Sequence, residues 1–446
     1  MASPAAVHIS SDIGRLQKVL VHEPGPEWDL IPCGPGILER YLTEDIFVLS
    51  RAREEHKVLT HILKKFIGDD NVIEFERLLE EVLSVTANKT EIVGAVTALE
   101  SLGLRTTQAL LGLSESALAR ALIHGAIIGD PDPGPTGYEN LFPSIPNLLF
   151  TRDLGAAIPG GFVICHAAKP ARRRETLLMR YVLRHELFKT TNFLDIRSLE
   201  KGNFWHDIQG GETVSIEGGD IVILNKVTLM VGTGERTTEA GFVSLLELLA
   251  RTTSPIQTVI RALIPQVRSS MHLDTVFTVL SECDGMAYGP VVNNCDYQVY
   301  HPPYREAPLK VNFSSAMDAA GLKDFKCLSC GDENRLSQSR EQWTDGANLF
   351  AIAPRVLIGY DRNPVTARVL EKNKYRCLQA ATDMAEVERI AADFKAGNDI
   401  APVVIGIPGA ELSRARGGAR CMTMPLARAD LLPSRSEKRA LGDDGF

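Results

Sequence analysis

Four times along the chain, a short polar stretch containing an aspartate precedes two apolar segments separated by a tight turn. The four aspartates are Asp153, Asp220, Asp274 and Asp345. Apolar runs of strand length around such turns predict β-hairpins. A recurring supersecondary unit is typical of a propeller-like array, in which each unit buries its apolar face against the next. We therefore expect the four acidic residues to lie at one end of such an array.

The remaining segments complete this α/β pattern. Residues 16–22 alternate and predict a further strand, and residues 43–66 have helical spacing with Thr43 as a candidate N-cap. Residues 75–127 are rich in Leu, Ala and Glu and predict several short helices that form an all-α block. The four hairpins are predicted at 150–167, 217–232, 272–289 and 345–361, with turns at 159–161, 225–226, near 284–285 and at 354–355.

Composition excludes several classes of protein. A formal net charge of −8 and the absence of a dense Lys/Arg run argue against nucleic-acid binding. No apolar stretch approaches the ~20 residues that a membrane span requires, and the first residues lack the pattern of a secretory signal. Eight dispersed cysteines do not predict a disulfide scaffold, and the pair Cys327 and Cys330 has no second pair for a zinc site. We expect a globular cytoplasmic protein.

Candidate catalytic residues lie close to the predicted hairpins. His272 is the only histidine in a His-x-Asp pattern, and on a strand it would project beside Asp274. The stretches "FTRD" and "EGGD" place Asp153, Glu217 and Asp220 at comparable positions. A histidine among carboxylates is compatible with a metal site, although only one histidine is well placed.

The stretch "ARGGARC" favours a different chemistry. Cys421 would be a thiolate nucleophile, His272 its acid and base, and the carboxylates a cradle for a cationic substrate. Arg416 and Arg420 would lower the pKa of the thiol through their positive charge. The intervening glycines would let the backbone approach a ligand or let the loop move.

Taken in order, the motifs "PNLLFTRD", "PARRRET", "EGGD", "GERT", "MHLDTVF", "REQWTDGAN", "GYDRN" and "RGGARCM" closely resemble those of the arginine deiminases, a family of guanidino-group-modifying enzymes. The resemblance extends over about residues 10–432. It implies a five-bladed α/β propeller with pseudo-fivefold symmetry and an inserted α-helical domain. It further implies hydrolysis of free L-arginine to L-citrulline and ammonia through a covalent amidino-cysteine intermediate, without a cofactor or metal, in a homo-oligomer (dimer or tetramer).

The resemblance also implies domain boundaries and residue roles. Residues 1–74 and 131–432 would form the propeller, 75–130 the helical insertion and 433–446 a disordered tail. Cys421 would be the nucleophile, His272 the acid and base, and Glu217 the residue that orients it. Asp153 and Asp274 would hold the guanidinium. The residues implied to contact the rest of the substrate are Asn147, Phe150, Arg172, Arg236 and Arg416, and Leu42 through its carbonyl.

Two other functions remain open at this point. The same covalent intermediate could pass its amidino group to an amine, as in an amidinotransferase. A protein that binds arginine without catalysis is the other alternative, although Cys421, His272 and Glu217 together argue against it.

Overall fold

The computed structural model describes residues 7–127, 139–199 and 214–431. The predicted loop at 129–137 lies outside these ranges, and so does the predicted tail at 433–446. Among the described residues, no helix combines the length and the apolar composition that crossing a membrane requires.

The described residues form an α/β fold with mixed sheets. Twenty strands are present: β1 Leu16–Val21, β2 Val72–Glu74, β3 Ala126–Ile127, β4 Glu139–Asn140, β5 Gly155–Ile158, β6 Gly161–Ile164, β7 Phe193–Asp195, β8 Ile221–Asn225, β9 Thr228–Thr233, β10 Thr258–Leu263, β11 Phe277–Val279, β12 Asp284–Ala287, β13 Asp296–Tyr300, β14 Leu309–Val311, β15 Lys326–Ser329, β16 Phe350–Ala353, β17 Val356–Tyr360, β18 Arg376–Gln379, β19 Val403–Ile407 and β20 Met424–Arg428.

Thirteen α-helices connect these strands within the described ranges. They are α1 Ile37–Arg40, α2 Leu49–Ile67, α3 Phe75–Leu83, α4 Thr86–Leu99, α5 Leu104–Leu111, α6 Glu115–His124, α7 Arg173–Val182, α8 Glu239–Arg251, α9 Gly289–Val292, α10 Phe313–Ala319, α11 Arg335–Trp343, α12 Pro364–Lys372 and α13 Ala380–Ala396.

Five of the six sheets share one plan, an antiparallel pair that a third strand joins in parallel. In the first, β5 and β6 are antiparallel and β7 pairs in parallel with β6. Parallel pairing needs a long crossover, which α7 supplies here. The others are β8–β9–β10, β11–β12–β15, β16–β17–β19 and β20–β1–β2.

A tight turn carrying buried polar side chains precedes the first strand of each of these five pairs. Thr151–Leu154, Gly218–Asp220 and Leu273–Thr275 are single 3₁₀ turns before β5, β8 and β11. Residues 345–348 precede β16, and residues 418–421 precede β20. Because the five turns hold the same position in their sheets, residues far apart in sequence are placed at equivalent points of the fold.

The helical block is not packed as a separate unit. Buried side chains of α3 and α6, such as Leu79 and Leu122, belong to the same hydrophobic cluster as Phe162 of β6 and Phe242 of α8. The predicted helices over 75–127 are thus present as α3 to α6, but they share a core with the sheets.

Some local predictions were wrong. Helix α2 begins at Leu49 and not at 43, because Val48 is its N-cap and the Val48 N–H donates to Glu411 Oε2 at 2.9 Å. In the third hairpin the turn lies before Asp284, which is already the first residue of β12. His272 and Asp274 do not lie on a strand, since His272 caps the 3₁₀ turn that contains Asp274.

Candidate active site

The turns before the hairpins surround a narrow cavity. Its wall includes most of the residues predicted from the sequence and several that were not. The lining residues are Asn147, Phe150, Asp153, Arg172, Arg236, Arg268, Met271, His272, Thr275, Ala415, Arg416 and Cys421.

His272 is buried and lies between two carboxylates. Its Nε2 is 2.8 Å from Glu217 Oε2, and its Nδ1 is 3.6 Å from Asp153 Oδ1. Burial alone would lower the pKa of His272, but these carboxylates outweigh it and raise the pKa to about 9. The imidazole is therefore protonated at neutral pH and can donate a proton to a leaving group.

Glu217 lies behind His272 and does not line the cavity. Burial opposes its charged form, yet Arg236 and His272 hold the pKa of Glu217 well below its usual range. The carboxylate accepts from the Ala168 N–H at 3.0 Å as well as from His272. Glu217 therefore fixes the orientation of the ring.

Cys421 is 4% exposed, and its Sγ lies 3.9 Å from both carboxylate oxygens of Asp274. Burial, together with the Asp274 and Asp153 carboxylates, raises the pKa of the Cys421 thiol well above its usual range. In the free protein the thiol is thus neutral at physiological pH. A cation placed beside it would reverse the electrostatic balance in favour of the thiolate.

Arg416 and Arg420 favour the Cys421 thiolate, but burial and the carboxylates outweigh them, so the low pKa of the thiol expected from the sequence is not found. Arg420 Nη2 lies 3.1 Å from Asp12 and Nε lies 3.4 Å from Asp274, and Arg420 does not line the cavity. The Arg416 guanidinium stacks 3.6 Å from the centre of the Trp343 ring and donates to the Trp343 carbonyl.

Two glycines permit close packing around the reactive groups. A Cβ on Gly219 would lie 2.8 Å from both Asp153 Oδ1 and the His272 ring, which is closer than real side chains approach. A Cβ on Gly417 would lie 2.2 Å from the Phe150 ring. In this structure the loop glycines thus provide space for neighbouring side chains, and the residue with positive φ is Arg416.

The two arginines predicted to contact a substrate carboxylate differ in their surroundings. Arg172 donates to Glu175 at 2.8 Å, to Asp153 and to the Asn147 carbonyl at 3.0 Å. Arg236 is held more loosely, because its buried Nε makes no hydrogen bond and lies 3.6 Å from Glu235 Oε1, and its Nη1 is 3.4 Å from Glu217. Both guanidinium groups nevertheless line the cavity.

Leu42 lies apart from the cavity lining. Its carbonyl accepts a hydrogen bond from Arg268 Nη2 at 2.6 Å, and Arg268 Nε lies 2.7 Å from Glu44. Arg268 therefore separates the inner cavity from a larger outer cavity that Leu42 lines. Asn147, another predicted contact, donates from its side chain to the Tyr41 carbonyl at 2.7 Å.

Among the described residues, Asp153, Glu217 and His272 place ligand atoms within 4.8 Å of one another, as a metal site would require. The Arg172 guanidinium lies against Asp153, and Arg236 lies against Glu217. These two buried cations neutralise the carboxylates and would repel a metal ion.

Sequence reasoning missed the residues that support this site from behind. Asn348 bonds to the backbone of both Cys421 and Asp274. Glu175 pairs with Arg172, and burial raises the pKa of Glu175 to about 7 against the influence of that arginine. Arg268, Met271 and Thr275 line the cavity. Of these residues, Arg268 alone lies outside the quoted motifs, since "PARRRET" contains Glu175, "MHLDTVF" contains Met271 and Thr275, and "REQWTDGAN" contains Asn348.

Comparison with known proteins supports the same chemistry. The arginine deiminase family model matches residues 134–428. A protein named arginine deiminase from Listeria innocua is 32% identical and covers 95% of this chain and 99% of its own. One of the same name from Borreliella burgdorferi is 31% identical and covers 95% of this chain and 98% of its own.

The fold has a counterpart among solved structures. An amidinotransferase from Microseira wollei in the saxitoxin biosynthetic pathway superposes with a TM-score of 0.51 at 13% identity, covering 96% of this chain and 99% of that one. At this identity the likeness concerns the fold alone. The match to the family model and the 32% identity to a curated relative over 95% of this chain do not depend on that superposition. Together they show that this chain belongs to the arginine deiminase family.

Proposed function

We propose that this protein hydrolyses free L-arginine to L-citrulline and ammonia through a covalent amidino-cysteine intermediate. The observation that carries the proposal is the position of the Cys421 thiol. It lies beside the Asp274 carboxylate and lines the cavity together with Asp153 and His272, and Glu217 supports His272 from behind. A thiol, a histidine and carboxylates in this arrangement suit a planar cation that reacts at its central carbon.

Asp153 and Asp274 would bind the guanidinium. A guanidinium is always charged and carries five N–H donors, so two carboxylates can fix its plane and orientation. Burial raises the pKa of Asp274, although Arg420 opposes that effect. A bound guanidinium would give the Asp274 carboxylate a further cationic partner. The bound cation then lowers the pKa of the nearby thiol, and the substrate itself favours the thiolate.

Attack by the Cys421 thiolate on the central carbon forms a C–S bond and a tetrahedral adduct. Protonated His272 gives its proton to one terminal nitrogen, and the C–N bond breaks to release ammonia. The thiol proton is lost to solvent or to a neighbouring base when the cation binds. An amidino group remains attached to Sγ as a cation.

Water completes the reaction. Neutral His272 removes a proton from the water, and the resulting hydroxide attacks the same carbon. The C–S bond then breaks, the hydroxyl of the adduct loses its proton to solvent to form the ureido carbonyl, and citrulline is released with Cys421 regenerated as the thiolate. His272 therefore acts first as acid and then as base, and Glu217 holds the ring in place for both steps.

The walls of the cavity would select the free amino acid. Arg236 and Arg172, with Asn147, would bind the substrate α-carboxylate, and Phe150 would pack against its aliphatic chain. Arg416 would close the cavity, and the Leu42 carbonyl would accept from the α-amino group after Arg268 moves aside. Arg236 supports this assignment best, because it lines the cavity and its Nε makes no hydrogen bond, with Glu235 Oε1 3.6 Å away.

An assay of citrulline and ammonia from L-arginine tests the function. We expect both products from the wild-type protein, and at least a tenfold loss of rate in Cys421→Ser, because an alkoxide is far less available than a thiolate. Mass spectrometry of acid-quenched enzyme should find an amidino adduct on the Cys421 peptide. Transfer of the amidino group to an added amine would identify an amidinotransferase, and arginine binding without either product would identify a binding protein.

The proposal extends to the architecture. The five sheets of common plan would be the five blades of a propeller with pseudo-fivefold symmetry. Residues 1–74 and 131–432 would form the propeller, 75–130 the helical insertion and 433–446 a tail. The homo-oligomeric state and the cytoplasmic location stay predictions.

A further inference from the structure

Asn348 connects the turns that carry the two groups closest to the reacting carbon. It is fully buried just before β16. Its Oδ1 accepts from the Arg420 N–H at 3.1 Å and from the Cys421 N–H at 3.2 Å. Its Nδ2 donates to the Asp274 carbonyl at 3.0 Å. One side chain thus links the turn before β20 to the turn before β11.

These partners define the chemistry that position 348 needs. The side chain must accept from two N–H groups and donate to one carbonyl at the same time, and a carboxamide can do both. An aspartate could accept both hydrogen bonds, but it could not donate to the Asp274 carbonyl. It would also add a negative charge close to the Cys421 thiol.

The loop of residues 415–421, which carries Cys421, approaches Asn348 closely. A Cβ on Gly418 would lie 2.7 Å from Asn348 Oδ1 and 2.9 Å from its Cβ, so a larger residue there would push the two apart. Gly418 also supplies the backbone hydrogen bond that favours the Cys421 thiolate. The contact between Gly418 and Asn348 therefore links the position of the loop to the protonation state of the Cys421 thiol.

We propose that Asn348 is a positioning residue that fixes the distance between the Cys421 thiol and the Asp274 carboxylate. This inference rests on the proposed function. Sγ lies 3.9 Å from both Asp274 oxygens, and the bound guanidinium must contact both groups at once. Misplacement by about 1 Å can cost roughly 10²-fold in rate. Loss of Asn348 would therefore lower kcat much more than it raises KM.

The test compares Asn348→Ala and Asn348→Asp with Asn225→Ala as a matched control. The Asn225 side chain also bridges two backbone groups, accepting from the Val227 N–H at 3.0 Å and donating to the Ala320 carbonyl at 2.7 Å, but it lies at the tip of the β8–β9 hairpin. The measurements are kcat and KM for arginine, the midpoint of thermal unfolding, and the pH dependence of Cys421 alkylation by iodoacetamide. Alkylation is read by mass spectrometry on the Cys421 peptide.

In Asn348→Ala we expect kcat to fall roughly 100-fold with KM changed only a few-fold. Asn348→Asp should show a similar loss, and its alkylation profile should move to higher pH than that of Asn348→Ala because of the added charge. Asn225→Ala should keep kcat and the profile even if its unfolding midpoint falls. If Asn348→Ala does not fold, Asn348→Ser is measured in its place.

A folded Asn348→Ala variant with kcat within about threefold of wild type would overturn the proposal. So would an Asn348→Ala alkylation profile equal to that of wild type. If the wild-type protein forms no citrulline, the proposed function fails by itself. The alkylation profiles then still decide whether Asn348 positions the thiol, because they require no turnover.

Discussion

Cys421 lies close to the Asp274 carboxylate, although arginines precede it in the sequence. Burial and the Asp274 carboxylate raise the pKa of the thiol. We expect the ultraviolet thiolate absorbance that distinguishes wild type from Cys421→Ser to titrate with a midpoint above the ~8.5 of a free thiol. A midpoint near or below neutrality would show that the nearby arginines dominate, and the thiolate would then be present before the substrate binds.

His272 should set the alkaline limit of activity. Its pKa of about 9 arises because the Asp153 and Glu217 carboxylates outweigh the effect of burial. The rate should therefore fall as the pH rises through about 9, and His272→Ala should be inactive at every pH. A His272→Ala variant whose profile merely shifts would identify another proton donor.

The same residue links pH to stability. The folded-state pKa of His272 lies above its unperturbed value of 6.5, so its charged form stabilises the fold. This contribution is complete below pH 6.5 and is lost as the pH rises through about 9. Wild type should therefore lose more stability between these two pH values than His272→Ala does, as measured by urea unfolding.

Agmatine tests the carboxylate contacts, because it has the guanidinium of arginine but no carboxylate. With agmatine bound, Arg236 and Arg172 would lack this partner, at a cost on the order of 2–5 kcal/mol for one buried pair. Sites built on such contacts reject analogues by roughly 10⁴–10⁵. Agmatine should be a very poor substrate, and Arg236→Ala should lower kcat/KM for arginine much more than for agmatine.

Arg174→Ala is the matched control for that experiment. Arg174 is an equally buried arginine, but it binds Glu100 and lines only the outer cavity. Its loss should affect both substrates alike. Comparable wild-type kcat/KM values for arginine and agmatine would contradict the assignment of the carboxylate contacts.

At the scale of elements, the turn before β20 is held by close packing. Gly417→Ala would place a methyl group in the Phe150 ring, so we expect a loss of about 1–3 kcal/mol in unfolding free energy and a fall in kcat. Gly103→Ala is the control, because an added Cβ there meets no atom within 4 Å. Unchanged stability and activity in Gly417→Ala would indicate that the loop moves freely.

At the scale of the whole molecule, the helical block and the sheets should unfold together. Leu79 in α3 is fully buried in the cluster that also contains Phe162 of β6. Leu79→Ala should cost about 2–5 kcal/mol and lower the midpoint of a single transition, at which activity is also lost. The exposed Leu104 serves as the control, since Leu104→Ala should change stability by no more than about 0.5 kcal/mol. Two separate transitions would show that the block folds independently.

The sequence by itself determined the recurring unit and the reactive residue types. Strand-length apolar runs and turn dipeptides depend on local physics, and for that reason the hairpins at 155–164, 221–233 and 350–360 were predicted correctly. The fifth sheet could not be seen in this way, because β20 and β1 come from opposite ends of the described chain. The start of α2 was also missed, since its N-cap is Val48, whose N–H donates to the distant Glu411 carboxylate.

Only the tertiary structure decided which charged side chains lie beside the Cys421 thiol. Arg416 and Arg420 are close to Cys421 in sequence. In the structure, however, Arg416 stacks on Trp343 and Arg420 pairs with Asp12. The thiol instead faces Asp274, about 150 residues away in the chain. Charge effects depend on distance and burial, and not on separation along the sequence. The sequence therefore identified Cys421 and His272 as candidates, while the fold set the pKa of each.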